Sequence, residues 1–199
     1  MARAADSTRR DRDVLSDADI VALINACSTR APSGIRNRAL IAVMWRCGLR
    51  IGEALALLPK DADLINGVLS VHHGKGDRAR KVGLDTTTSA LIAHWLDRRR
   101  AMGLNGRKPL FCTLAGGEIE QAYVRGLLRR LARKAGVEGR VHPHGLRHSF
   151  AARQARRGTS MTTIRDALGH SSIAVTDRYL REVAPMEVVQ AMQADQWEL

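Results

Sequence analysis

The sequence predicts a mainly α-helical domain that carries one small three-stranded antiparallel β-sheet. Three observations lead there. Apolar residues recur at helical spacing through most of the chain. An Asn66-Gly67 pair stands between two short apolar runs, the strongest short-range hairpin signal. Helical patterning then resumes at TTTSALIAHWLDRRRAM, which confines the strands to the stretch after Pro59.

The elements follow in order. Residues 1–13 read as a mobile basic tail. Ser16 with Asp19 forms a capping pair that opens the helix DADIVALINAC. A second helix is expected from Ile35 to Arg46, with Ile35, Leu40, Ile41 and Met44 as its core face and Gly48 as its stop. IGEALALL is a further short helix with Arg50 at its mouth. ADLINGVLSV, a second turn at GKGD and the strand RARKVGL make the sheet. PLF is a short buried segment. Residues 120–135 form an Arg-rich helix that ends at Gly136. Helices are then expected at LRHSFAARQARR, at SMTTIRDAL and around Tyr179, with His144 lying just before the first of them. Pro185 opens a last helix, MEVVQAMQ.

The chain has 199 residues and a formal net charge of +12. Such a charge favours a polyanionic partner, with nucleic acid first. An anionic membrane surface ranks second, because no basic amphipathic helix carries Trp or Phe on its other face. No apolar run approaches a membrane span, and nothing resembles a secretory signal. Three widely spaced cysteines, Cys27, Cys47 and Cys112, read as reduced core thiols of a cytoplasmic protein. The 32 basic residues are overwhelmingly arginine, so a single Arg carries little information and each Lys carries more.

Five features stand apart: Arg50 in CGLRIGEAL, Lys75 in GKGDRARKVGL, His144 and Arg147 in HPHGLRHSF, His170 in ALGHSS, and Tyr179 in TDRYL. Their order and spacing closely resemble the tyrosine recombinase or phage-integrase family, nearest to the Xer-type enzymes. The resemblance runs from about Leu15 to Leu180, and HGLRHSFA and LGH are its most specific parts. It implies the catalytic-domain fold of the DNA breaking-rejoining enzymes over residues 14–184. It also implies a site-specific recombinase that cuts and rejoins double-stranded DNA through a 3′-phosphotyrosine on Tyr179.

The residue types suit that chemistry independently. A phosphodiester in its five-coordinate state gains charge on its non-bridging oxygens, and arginine forks match those oxygens. Arg50 and Arg147 would clamp them, and His170 would add a donor. The Tyr179 hydroxyl is a poor nucleophile at neutral pH and needs a base or a positive field, for which His144 is the candidate. The leaving 5′ oxygen needs a proton, which lysine supplies and arginine does not. Lys75 matches the family's β-hairpin general acid, and Lys81 on the adjacent strand is the alternative. Glu53, three residues beyond Arg50, matches the family's orienting acidic residue; a plain helix salt bridge is the rival reading. Bond energy stays in the covalent link, so no metal or cofactor is expected.

Arg125, Arg129 and Arg133 recur at four-residue spacing and form a stripe that either contacts DNA backbone or is merely solvated. Tyr123 reads as packing or DNA contact. The family's N-terminal core-binding domain is expected to be absent, leaving either a compact single-domain enzyme or a piece of a longer one. Tetramers are expected on DNA and monomers without it. Residues 185–199, with Val188, Val189, Met192 and Trp197, would dock on a neighbouring protomer or on the chain's own domain. Two other functions share these features: a silent DNA-binding regulator, and a type IB topoisomerase-like relaxing enzyme.

Overall fold

A computed structural model describes residues 14–72 and 79–169. Helix α1 spans Asp17–Ala26. Its capping box forms as expected: the Asp19 backbone N–H donates to Ser16 Oγ, and the Ser16 N–H donates to Asp19 Oδ2, both at 3.1 Å. Helix α2, Pro32–Arg46, begins three residues before the expected Ile35 because Pro32 pre-sets the first turn. All four predicted core residues are buried, but so are Ala39, Val43 and Trp45. Burial on every side makes α2 the central post of the domain. The short α3, Ile51–Ala56, follows it.

Gly48 separates α2 from α3. Its φ of +61° suits glycine, and a Cβ there would lie 2.5 Å from Phe150 Cδ1. The turn therefore brings the backbone of residue 48 directly against α6, Pro143–Arg156.

A 3-10 turn at Pro59–Asp61 leads into the sheet, β1 Ala62–Asp63, β2 Val68–Val71 and β3 Arg80–Gly83. The order is β1-β2-β3, antiparallel throughout, with Leu69 opposite Val82 and Val71 opposite Arg80. At the Asn66-Gly67 turn, Gly67 has φ +64°, and Asp63 accepts from both the Asn66 N–H and its side-chain amide. Alternation in β2 buries Leu69 and Val71. The GKGD turn lies outside the described residues.

Helix α4, Thr86–Ala101, starts on Asp85, whose carboxylate accepts from the Thr88 N–H. It packs along α2. Beyond it, Leu110 and Phe111 are buried, as the PLF segment predicts. Helix α5, Gln121–Ala135, ends at left-handed Gly136. Its apolar face (Val124, Leu127, Leu128, Leu131) is buried, and Arg125, Arg129 and Arg133 are exposed.

Helix α6 corrects one expectation. It starts at Pro143, so His144 lies inside its first turn and not before it. The proline supplies the first helical φ, and His142 takes the capping position, with Nδ1 accepting from the Gly145 N–H at 3.3 Å. Helix α7, Met161–Leu168, packs on α6 through Phe150, Ile164 and Leu168. The N-terminal segment is fastened to α6: the Leu15 N–H donates to Ser149 Oγ at 2.8 Å, and Asp17 pairs with Arg153 at 2.7 Å.

All three cysteines are free and buried, and burial pushes the Cys27 and Cys47 thiols up to about 11 and about 12. Among the described residues, no helix is long and apolar enough to cross a membrane. The helices expected around Tyr179 and after Pro185, and both terminal tails, lie outside the described residues.

Candidate active site

Arg50, Glu53 and Arg147 come together, although nearly a hundred residues separate the first from the last. Arg50 is the cap residue of α3, and its backbone N–H donates to Glu53 Oε2 at 2.8 Å. Its side chain reaches the same carboxylate, Nη1 to Oε1, at 3.0 Å. Arg147 approaches from α6, with Nη1 3.7 Å from Glu53 Oε2. Its guanidinium is nearly fully buried and held by two backbone carbonyls, Gly48 at 2.8 Å and Leu168 at 2.7 Å. The two arginines thus converge on one buried carboxylate. Arg147 is fixed by the ends of two other helices, while the Arg50 side chain remains 41% exposed.

A third arginine completes the hub. Arg80 of β3 bridges both Glu53 oxygens, at 3.0 and 2.8 Å. Burial alone would raise the Glu53 pKa. Hydrogen bonds from Arg80 and the Arg50 N–H, with the charges of Arg80 and Arg147, outweigh it and hold the carboxyl below its ordinary value.

Arg50, His144 and Arg147 border a single pocket of about 330 Å³. His144 is exposed there, with its ring 4.1 Å from that of His148, edge to face. Arg125, Arg140 and His142 line the same pocket and also a neighbouring groove of about 860 Å³. Arg129, Arg130 and Arg133 extend that groove. The predicted arginine stripe is therefore a solvated helix face that also walls a basic channel opening beside the Arg50–Arg147 pocket. Arginine forks at the pocket and a run of exposed guanidiniums beyond it suit a polyanion with one phosphate at the pocket.

Lys75, His170 and Tyr179 lie outside the described residues. Lys81 is exposed on β3 and lines a different cavity, of about 500 Å³, which Arg50, His144 and Arg147 do not line. Tyr123 is engaged elsewhere: its hydroxyl accepts from buried Arg36 at 2.8 Å. Sequence reasoning missed Arg80, Arg140 and His142. Strand alternation could have found Arg80, which must point opposite to Lys81 and Gly83. Among the described residues, no three His, Cys, Asp or Glu side chains gather as metal ligands would.

The model of the phage integrase family matches residues 13–184. The chain belongs to that family. Tyrosine recombinase XerC of Xanthomonas axonopodis pv. citri (strain 306) is 37% identical over 177 residues, covering 89% of this chain and 56% of the relative. Tyrosine recombinase XerD of Ralstonia nicotianae (strain ATCC BAA-1114 / GMI1000) is 34% identical over 167 residues, 83% of this chain and 54% of the relative. The chain spans about half the length of these curated relatives. Its structure is similar to that of XerA recombinase, with TM-score 0.80 and 29% identity over 92% of this chain and 66% of the other. XerH bound to a palindromic difH substrate in a post-cleavage complex gives TM-score 0.74 and 29% identity over 91% and 52%. The catalytic domain of bacteriophage HP1 integrase shares the fold, with TM-score 0.59 and 22% identity over 92% and 94%. This family match and the mainly helical fold with its three-stranded sheet agree with what the sequence motifs imply.

Proposed function

We propose that this integrase-family chain is the catalytic core of a site-specific DNA recombinase that cuts and rejoins strands through Tyr179. The observation that carries this reading is the meeting of Arg50 and Arg147 on Glu53 at a pocket they share with His144. The named activities of the XerC and XerD relatives support it.

In the proposed reaction the scissile phosphate sits between Arg50 and Arg147. The Tyr179 oxygen attacks phosphorus and its proton passes to His144. The bond to the 5′ oxygen breaks, and Lys75 protonates that oxygen as it leaves. The 3′ phosphate remains esterified to Tyr179. A 5′ hydroxyl from a partner strand then attacks the same phosphorus and releases the tyrosine. His170 adds a hydrogen bond to a non-bridging oxygen. Preorganised charge of this kind is the main catalytic term, and each donor is worth about 100-fold or more in rate. No metal or cofactor takes part in this scheme.

Double-stranded DNA is the proposed partner, tracked away from the pocket by Arg125, Arg129 and Arg133. Strand exchange calls for several protomers, so a tetramer on DNA is proposed, with residues 185–199 reaching a neighbour. The proposed compartment is the cytoplasm, which agrees with three unpaired buried thiols.

A nicked suicide substrate, which traps the covalent product, tests the reading. The wild-type chain should form a protein–DNA adduct, and Tyr179→Phe should bind DNA but form none. An adduct in the phenylalanine variant overturns the assignment of the nucleophile. Binding without any adduct in the wild type favours the silent regulator, and adduct with relaxation but no exchange favours the topoisomerase-like reading.

A further inference from the structure

Arg80 is the one arginine of the hub that the reaction above does not use. It sits on β3, five residues after Lys75 in sequence, and its side chain is 8% exposed. Every nitrogen of its guanidinium is committed. Nη1 and Nη2 bridge the two Glu53 oxygens, and Nε donates to the Ala167 carbonyl at 2.7 Å. The group also packs closely against residue 169. A Cβ built on Gly169 would be 2.8 Å from Nη1 and 3.1 Å from Cζ. Gly169 has φ +65° and immediately precedes His170. One side chain therefore touches the carboxylate that holds Arg50 and Arg147, and the turn that leads to residue 170.

A buried ion pair is a poor device for stability alone, because apolar residues of equal volume usually serve as well. A fork that spans two oxygens while its Nε bonds a third group fixes direction, and lysine cannot reproduce it. We propose that Arg80 is a positioning residue, which through Glu53 and Ala167 sets the geometry of the Arg50–Arg147 clamp relative to the strand that follows Lys75. The proposal rests on the recombinase reading above.

The test compares two nicked substrates. One has the ordinary scissile phosphate; in the other a methyl group replaces one non-bridging oxygen. The methylphosphonate is neutral, so a misaligned clamp harms it less. Arg80→Met should slow adduct formation on the phosphate by about 100-fold or more, and on the methylphosphonate by no more than about tenfold. Arg80→Lys should fall between Arg80→Met and wild type and show the same bias, which covers the case in which the methionine variant does not fold. The double variant Glu53→Gln with Arg80→Lys should be no slower than the slower single variant, because both act through one contact.

Equal slowing on the two substrates, or losses that multiply in the double variant, overturns the proposal. So does unfolding of both Arg80 variants, which would make Arg80 a core element only. A wild-type chain that forms no adduct defeats the recombinase reading itself and the proposal with it. A reactive wild type with unbiased variants defeats the Arg80 role alone.

Discussion

Arg99 and Arg147 are both buried arginines held by backbone carbonyls, yet their surroundings differ. Arg99 lies at the end of α4, 2% exposed. It donates to the carbonyls of Asn105, Pro109 and Lys108 and touches Cys112 Sγ. It thereby staples the loop after α4 to the helix, and none of these four partners is a carboxylate. Arg147 is bound as firmly, but its carbonyl partners come from α2's end and α7's end, it shares Glu53 with Arg50, and it borders a pocket. Burial of an arginine therefore does not identify function. A shared carboxylate and a bordering pocket are what make Arg147, and not Arg99, the candidate.

Conservative substitution should separate the two most sharply. Arg147→Lys keeps a charge but loses the fork, and adduct formation should drop by about 100-fold or more while DNA binding survives. A rate within a few-fold of wild type would place Arg147 with Arg99 as a staple. Arg99→Met should do the reverse. Removing the buried guanidinium and its bonds to three partly buried loop carbonyls should cost about 3 kcal/mol in urea unfolding, with the adduct rate per folded molecule unchanged within about twofold. A large rate loss at full folding would erase the contrast.

The acid limb of stability sharpens the comparison, because only the Arg147 site contains a carboxylate. Glu53 has a folded pKa below its ordinary value of 4.5. Its contribution is fully present above that value and is lost as pH falls towards the folded pKa. Unfolding curves should show a shallower acid loss in Glu53→Gln than in wild type, and an identical slope would mean that the carboxylate is not held by the arginines. The smallest effect concerns the groove. Arg129→Gln with Arg133→Gln should leave cleavage at low salt nearly intact, but should lower the salt dependence of DNA binding by about one unit of slope per arginine. An unchanged slope would mean that the stripe is only solvated.

Local devices were the most legible part of the sequence. Ser16 with Asp19, Asn66-Gly67 and Gly136 each satisfy backbone groups within a few residues, so their chemistry shows in a short window. Arg50 and Glu53 are legible for the same reason, one helical turn apart. Arg147 was found through its motif, while the carbonyls that hold it come from residues 48 and 168 and leave no local trace. The start of α6 was misread because histidine is not among the favoured cap residues, and here His142 fills that place. Arg80, Arg36 and Arg99 were hidden by abundance. In a chain rich in arginine, nothing in composition separates a buried guanidinium from a solvated one.

The bond from the Leu15 N–H to Ser149 Oγ spans 134 residues of chain. On a ribosome, that donor waits on the order of ten seconds for its acceptor to be made. Ser149 lies two residues beyond Arg147 on the same helix, and Asp17 waits in the same way for Arg153. The helix that carries Arg147 is thus among the last pieces synthesised of the described domain and closes on the first. A nascent chain stalled before residue 149 lacks both acceptor and ion-pair partner for this segment on α6. Docking of the opening segment and seating of the helix that carries Arg147 are thereby linked through α6.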